Sequence, residues 1–235
     1  MMTEQLAPGC LPAGKRVYAI GDVHGCSDML DELHALIAAD LRRRPCDDVR
    51  LIHLGDYIDR GPDSAGVIER VMRRPLGIPT INLMGNHEEL FLSAFDGDRG
   101  AVDVWTQNGG VSTLASWGVP PRTRPRDWPN FIPAHQVRQL RELALHHVIG
   151  SYLFVHAGIR PGVPLAAQTA HDLRWIRKPF LDHDGPLDYV VVHGHTVERA
   201  PVVRPNRIGI DTGAVLGGHL TCVMLQDDRM GFLQV

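Results

Sequence analysis

Short apolar runs that stop at a glycine recur along this chain. Val17-Tyr18-Ala19-Ile20 ends at Gly21, Val49-Arg50-Leu51-Ile52-His53-Leu54 at Gly55, and Thr80-Ile81-Asn82-Leu83-Met84 at Gly85. Runs of this length bounded by turn residues read as buried strands. Between the first two, Met29, Leu30, Leu33, Leu36 and Ile37 recur at helical spacing behind a possible cap at Ser27 or Asp28. A second helix is predicted over about Ser64 to Arg73. Residues 88–145 read as mostly helical, with a loop where five prolines fall between Val119 and Pro133.

The second half is richer in strands. Tyr152-Leu153-Phe154-Val155 and Tyr189-Val190-Val191-Val192 are again short and apolar. Val202-Val203 and Ile208-Gly209-Ile210 flank Arg204-Pro205-Asn206-Arg207, and Leu220 to Leu225 and Gly231 to Val235 flank Gln226-Asp227-Asp228-Arg229. Both patterns predict hairpins. Early βαβ units followed by late hairpins predict an α/β sandwich of mixed β-sheets flanked by helices. The 235 residues suit one domain, with residues 1–14 as an N-terminal tail and 88–145 as a helical segment near the site cleft.

Composition removes several classes. A net charge of −3 gives no global field for nucleic acid, and the runs Arg42-Arg43-Arg44 and Arg122-x-Arg124-x-Arg126 read as solvated surface. The cysteines at 10, 26, 46 and 222 form no C-x-x-C pair, which argues against a zinc ribbon or disulfide scaffold. No apolar run approaches the ~20 residues of a membrane helix, and no secretory h-region precedes Gly14. The expectation is a soluble, cytoplasmic protein. No coiled-coil seam is visible, so the oligomeric state stays open.

The thirteen histidines matter through their positions. Metal-binding side chains follow apolar strands five times: Gly21-Asp22-Val23-His24-Gly25, Gly55-Asp56-Tyr57-Ile58-Asp59-Arg60-Gly61, Gly85-Asn86-His87-Glu88, His156-Ala157-Gly158 and His193-Gly194-His195-Thr196. The carboxyl ends of strands in α/β sheets are the usual location of a site. Asp22 and His24, two residues apart, point to one side of an extended segment. Asp, Asn and His donors without thiolate suit Mn, Fe, Zn or Ni. Two ions ~3.5–4 Å apart, bridged by one carboxylate, would clamp phosphate oxygens and activate water. His34, His53, His135, His146, His147, His171, His183, His193 and His219 are read as surface or packed residues, Cys26 as structural, and Asp211 as a turn or strand-end residue.

These blocks resemble the signatures of the phosphoprotein phosphatase family, within the calcineurin-like metallophosphoesterases, and the match runs from about Val17 to Asp211. The resemblance implies a metallophosphoesterase-type sandwich and two metal ions, Mn above Fe, Zn or Ni. Asp22 and His24 would bind the first ion, Asp56 would bridge, and Asn86, His156 and His195 would complete the second. His87 would be the general acid and Asp59 its orienting carboxylate. Arg60, Asn86 and Arg177 would contact the substrate phosphoryl group, with Arg174 as the alternative to Arg177. The implied activity is hydrolysis of phosphoserine and phosphothreonine, with phosphotyrosine possible, by direct attack of a metal-activated hydroxide. Its partners would be phosphorylated proteins or small phosphoesters, without nucleic acid or membrane. A symmetrical dinucleoside tetraphosphate hydrolase is the alternative, and a non-catalytic metal-bound interaction module a more distant one.

Overall fold

A computed structural model describes residues 3–235. The strands are β1 (Glu4–Leu6), β2 (Lys15–Ile20), β3 (Asp48–His53), β4 (Thr80–Asn82), β5 (His146–Ile149), β6 (Tyr152–Val155), β7 (Val190–His193), β8 (Val202–Arg204), β9 (Arg207–Gly209), β10 (Asp211–Thr212), β11 (His219–Gln226) and β12 (Arg229–Gln234). The α-helices are α1 (Ser27–Arg43), α2 (Ser64–Met72), α3 (Asn86–Phe95), α4 (Arg99–Trp105), α5 (Val111–Ser116), α6 (Ala134–Arg141), α7 (Ala170–Trp175) and α8 (Lys178–Leu181). The first sheet has the order β1-β12-β11-β2-β3-β4, with β10 also on β11, and the second is β5-β6-β7-β9-β8. Both are mixed: β2, β3 and β4 run parallel, as do β6, β7 and β9, while the remaining neighbours are antiparallel.

Side-chain alternation explains the layers. In β2, Val17 and Ala19 join the core that also takes Tyr152 and Phe154 of β6, Val190 and Val192 of β7, and Val223 and Leu225 of β11. That cluster lies between the two sheets. Tyr18 and Ile20 instead pack with Leu30, Leu33 and Ile37 of α1. On the outer face of the second sheet, Leu153, Val155 and Val191 meet Leu173 of α7 and Phe180 of α8. The result is helices, sheet, sheet, helices, as the sequence predicts.

Two local expectations change, and one strand carries no signal in the sequence. Met1 and Met2 of the expected tail lie outside the described residues, but Glu4–Leu6 pair with β12, Glu4 opposite Gly231. Leu11 is buried between the sheets. The alternation in Glu4-Gln5-Leu6 is too short to signal a strand. The third strand stops at Asn82; Leu83 still donates its N–H to His53 O at 3.0 Å and bridges Ala144. β5, whose two histidines carry no strand pattern, is held by pairing with β6 rather than by its own sequence.

Candidate metal centre

The parallel strands aim their carboxyl ends at one place. Loop backbones lock the convergence: the N–H groups of Val23 and His24 donate to Asp56 O at 3.1 and 2.8 Å, and Gly194 N–H donates to His156 O at 2.8 Å. Asp22, His24, Asp56, Asp59, Asn86, His87, His156 and His195 are all buried here. Several have left-handed backbone: His24 (φ +45°), Asp56 (+50°), Asp59 (+75°), Arg60 (+68°) and His195 (+64°). Such conformations cost roughly 1–3 kcal/mol each outside glycine and cluster at functional sites.

Asp56 is central. Its Oδ1 lies 3.4 Å from His156 Nε2, and its Oδ2 lies 3.6 Å from His24 Nε2 and 3.9 Å from His87 Nε2. Each oxygen thus faces a different imidazole group. Two triads of potential ligand atoms result, His24–Asp56–His87 and Asp56–His156–His195, each within 4.8 Å. Asn86 Oδ1 is 3.0 Å from His156 Nε2 and extends the second. Asp22 lies beside them, accepting His195 N–H at 3.0 and 3.2 Å. A Cβ on Gly194 would sit 2.0 Å from Asp22 Oδ1, so only glycine permits that approach.

The donor set fits metal ions. His24 Nδ1 is 2.7 Å from Ile58 O and His156 Nδ1 is 2.9 Å from Leu54 O. A carbonyl only accepts, so Nδ1 carries a proton in each ring and Nε2 is the nitrogen that faces the centre. Burial pushes the His24 and His195 imidazoles down to about 3, so both are neutral near pH 7. Burial would raise Asp56, but the neighbouring His156 and His87 imidazoles outweigh it and hold the carboxylate well below its ordinary range. Burial, then the neighbouring Asp211 and Asp56 carboxylates, raise Asp22.

The remaining predicted residues surround this core. His87 Nδ1 meets Asp59 Oδ2 at 2.6 Å. Burial would lower the His87 imidazole, yet Asp56 and Asp59 together raise it. Arg60 is exposed, with one guanidinium nitrogen on His24 Nε2 and the other 2.9 Å from His87 Nε2. Arg177 is exposed too, its Nε 3.1 Å from His195 Nε2. Arg174 is instead tied to Glu89 and Met84. His193 packs on the Phe180 ring at 5.1 Å, and burial raises the half-buried Cys26 thiol.

A family pattern, the calcineurin-like phosphoesterases, matches residues 15–221. The chain belongs to that family. This calcineurin-like phosphoesterase is an enzyme of the metal-dependent phosphoester-hydrolysing kind, and the family uses a dinuclear metal centre. It is 29% identical over 220 residues to serine/threonine-protein phosphatase 1 of Salmonella typhimurium, covering 90% of this chain and 93% of that one. It is 34% identical over 145 residues to a symmetrical bis(5'-nucleosyl)-tetraphosphatase of Acidovorax sp., covering 62% of this chain but only 44% of that one. The crystal structure of a cold-active protein tyrosine phosphatase shares the fold, with a TM-score of 0.62 and 18% identity over 95% of this chain and 78% of that one. No helix among the described residues is long and apolar enough to cross a membrane.

Several further side chains take part without a ligand role in the sequence pattern. Glu88 is fully buried, and its carboxylate accepts the backbone N–H groups of Asp56 (2.9 Å), Tyr57 (2.8 Å), Ile58 (3.3 Å) and Gly85 (2.9 Å). It therefore shapes the turn that carries Asp56. Asp211 begins β10 and faces Asp22, with the strand-then-carboxylate signal of the other blocks but no histidine beside it. Trp105 and Thr113, both buried, donate to Asp59 from helices that carry no ligand pattern in the sequence.

Proposed function

We propose that this enzyme is a protein phosphatase that hydrolyses phosphoserine and phosphothreonine, and phosphotyrosine where it fits the cleft. The observation that carries the hydrolytic reading is Asp56 with one oxygen toward each imidazole group, beside the His87–Asp59 pair. Support for a protein substrate comes from the end-to-end likeness to the Salmonella phosphatase.

Asp22, His24 and Asp56 would hold one metal ion, and Asp56, Asn86, His156 and His195 the other. Imidazole, carboxylate and amide donors suit Mn²⁺ first, with Fe, Zn or Ni as substitutes. Bound there, the ions supply positive charge to the phosphoryl oxygens and make water acidic enough to furnish a nucleophile near neutral pH. The chain does the rest. Arg60 and Arg177 donate to the phosphoryl oxygens from opposite sides, a task for which the guanidinium fork is suited. Asp59 holds Nδ1–H of His87; once Arg60 leaves Nε2 for the phosphoryl oxygens, the raised imidazole can carry a second proton on Nε2. That proton goes to the departing ester oxygen.

The test is hydrolysis of p-nitrophenyl phosphate by metal-stripped protein with and without Mn²⁺, followed by turnover of phosphoserine peptides against diadenosine tetraphosphate. Mn²⁺-restored activity with faster phosphopeptide turnover is expected. Faster turnover of the dinucleotide transfers the assignment to the tetraphosphatase group, for which the Acidovorax similarity is the support.

A further inference from the structure

Between α4 and α5 the chain widens into a π-helical turn, Thr106–Gly110. Such turns are rare and often occur at functional sites. This one lies against the Asp59–Arg60 loop. Arg60 N–H donates to Gly109 O at 3.2 Å, and a Cβ on Gly109 would come within 2.6 Å of Arg60 N. The preceding residue, Trp105, sends its indole N–H to Asp59 at 2.9 Å from Oδ2 and 3.0 Å from Oδ1. The first turn of α5 supplies Thr113, whose hydroxyl donates to Asp59 Oδ1 at 2.7 Å and receives Asp59 N–H at 2.8 Å. Ser64 Oγ lies 2.9 Å from Thr113 Oγ1 and also accepts Asp59 N–H, at 3.1 Å.

These bonds determine the orientation of the carboxylate. Oδ1 is taken by Thr113, which leaves Oδ2 for His87 Nδ1. Trp105 spans both oxygens and stops rotation of the group. The indole is itself fixed, between Phe91 (5.2 Å) and Trp128 (5.5 Å), and a Cβ on Gly110 would strike it at 2.5 Å. Asp59 is fully buried, so no water competes for these donors. A carboxylate with one donor can swing about its last torsion, whereas one with three cannot.

We propose that Trp105 and Thr113 are positioning residues for the general acid. They fix the Asp59 carboxylate so that His87 holds Nε2–H toward the leaving oxygen. The inference rests on the reading of His87 as that acid. In the step itself, a water oxygen bonds to phosphorus and the ester P–O bond breaks. His87 Nε2 gives its proton to the departing oxygen and keeps Nδ1–H on Asp59. One water proton leaves with the phosphate and the other replenishes Nε2.

The test compares phenyl phosphate, a poor leaving group, with p-nitrophenyl phosphate, a good one, using Mn²⁺-loaded enzyme of measured metal content. Thr113→Val removes the hydroxyl at nearly constant volume, and Trp105→Phe removes the indole N–H. Each should lower kcat on phenyl phosphate by about tenfold, and by much less on p-nitrophenyl phosphate. Thr113→Ser should recover most of the loss. Equal losses on both substrates, failure of Thr113→Ser to recover, or a loss traced to missing metal would each overturn the proposal. Thr113→Val decides the matter if Trp105→Phe does not fold. His87→Asn is the control. If it too loses activity equally on both substrates, the acid reading itself fails and the positioning role falls with it. If it shows the leaving-group dependence while Thr113→Val does not, only the positioning role fails.

Discussion

Two side chains at the centre ask for different measurements. His87→Asn removes the proton that Nε2 would give, so turnover should fall by about 10²-fold or more on phosphoserine peptides. It should fall far less on p-nitrophenyl phosphate. A uniform loss across leaving groups counts against the acid role. Asp56→Asn keeps the shape of the side chain but removes the charge that faces both imidazole groups. Metal analysis should find fewer than two ions bound and activity reduced beyond that of His87→Asn. Full metal content with full activity would remove Asp56 from the bridge. The left-handed backbone at Asp56, His24 and His195 is part of the same arrangement. It turns side chains inward at sharp loops, and the four N–H groups gathered by Glu88 hold one of those loops in place.

The contact between α1 and β3 carries a pH dependence of its own. His34 Nε2 lies 3.4 Å from His53 Nε2, and His53 Nδ1 meets Asn82 Oδ1 at 2.8 Å. Burial lowers both imidazoles, His53 to about 3 and His34 to about 4. Exposed in the unfolded chain, they take up protons near pH 6.5. The unfolded state therefore binds more protons across the interval between these values, and stability falls as pH drops through 6.5. The loss is about 1.4 kcal/mol per pH unit for each imidazole. Urea denaturation between about pH 7 and pH 5 should register it, and His34→Gln should make the slope shallower by one imidazole. An unchanged slope would mean that His34 titrates alike in both states.

Elements such as β2, β6 and β7 are legible because short apolar runs that lead into a glycine- or histidine-bearing block carry both strand and site signals. β1 and β5 are not, since their stability lies in the partner strand. Asp22, His24, Asp56, Asn86, His156 and His195 can be picked out by their strand-end positions; the structure gathers the donor atoms of His24, Asp56, His156 and His195, sets Asn86 beside His156, and turns the Asp22 carboxylate onto the backbone N–H of His195. Trp105 and Thr113 reach Asp59 across 46 and 54 residues of sequence. An indole N–H or a hydroxyl on a helix has no spacing that announces such a partner.

At the scale of the whole molecule, ions held between loops from both sheets should stabilise the folded state alone. With free Mn²⁺ about 100-fold above its dissociation constant, the gain is about 2.7 kcal/mol. For a chain of this size that corresponds to a rise in Tm of roughly 5–10 °C. Scanning calorimetry of stripped protein with and without Mn²⁺ should detect it, and Asp56→Asn should lose most of it. Equal Tm values with and without Mn²⁺ in the unmodified protein would argue against ions at this position.

The strand order β12-β11-β2-β3-β4 has a consequence for synthesis. β2, β3 and β4 leave the ribosome early, but the strand that belongs beside β2 is made some two hundred residues later. Until β11 arrives, the edge of β2 stays unpaired while its apolar side chains await the second sheet. Open apolar edges of this kind invite association with other chains. Completion of the first sheet thus waits, by topology, until β11 is made, and a chaperone or a slow, protected nascent state has a defined segment to guard: Val17 to Ile20.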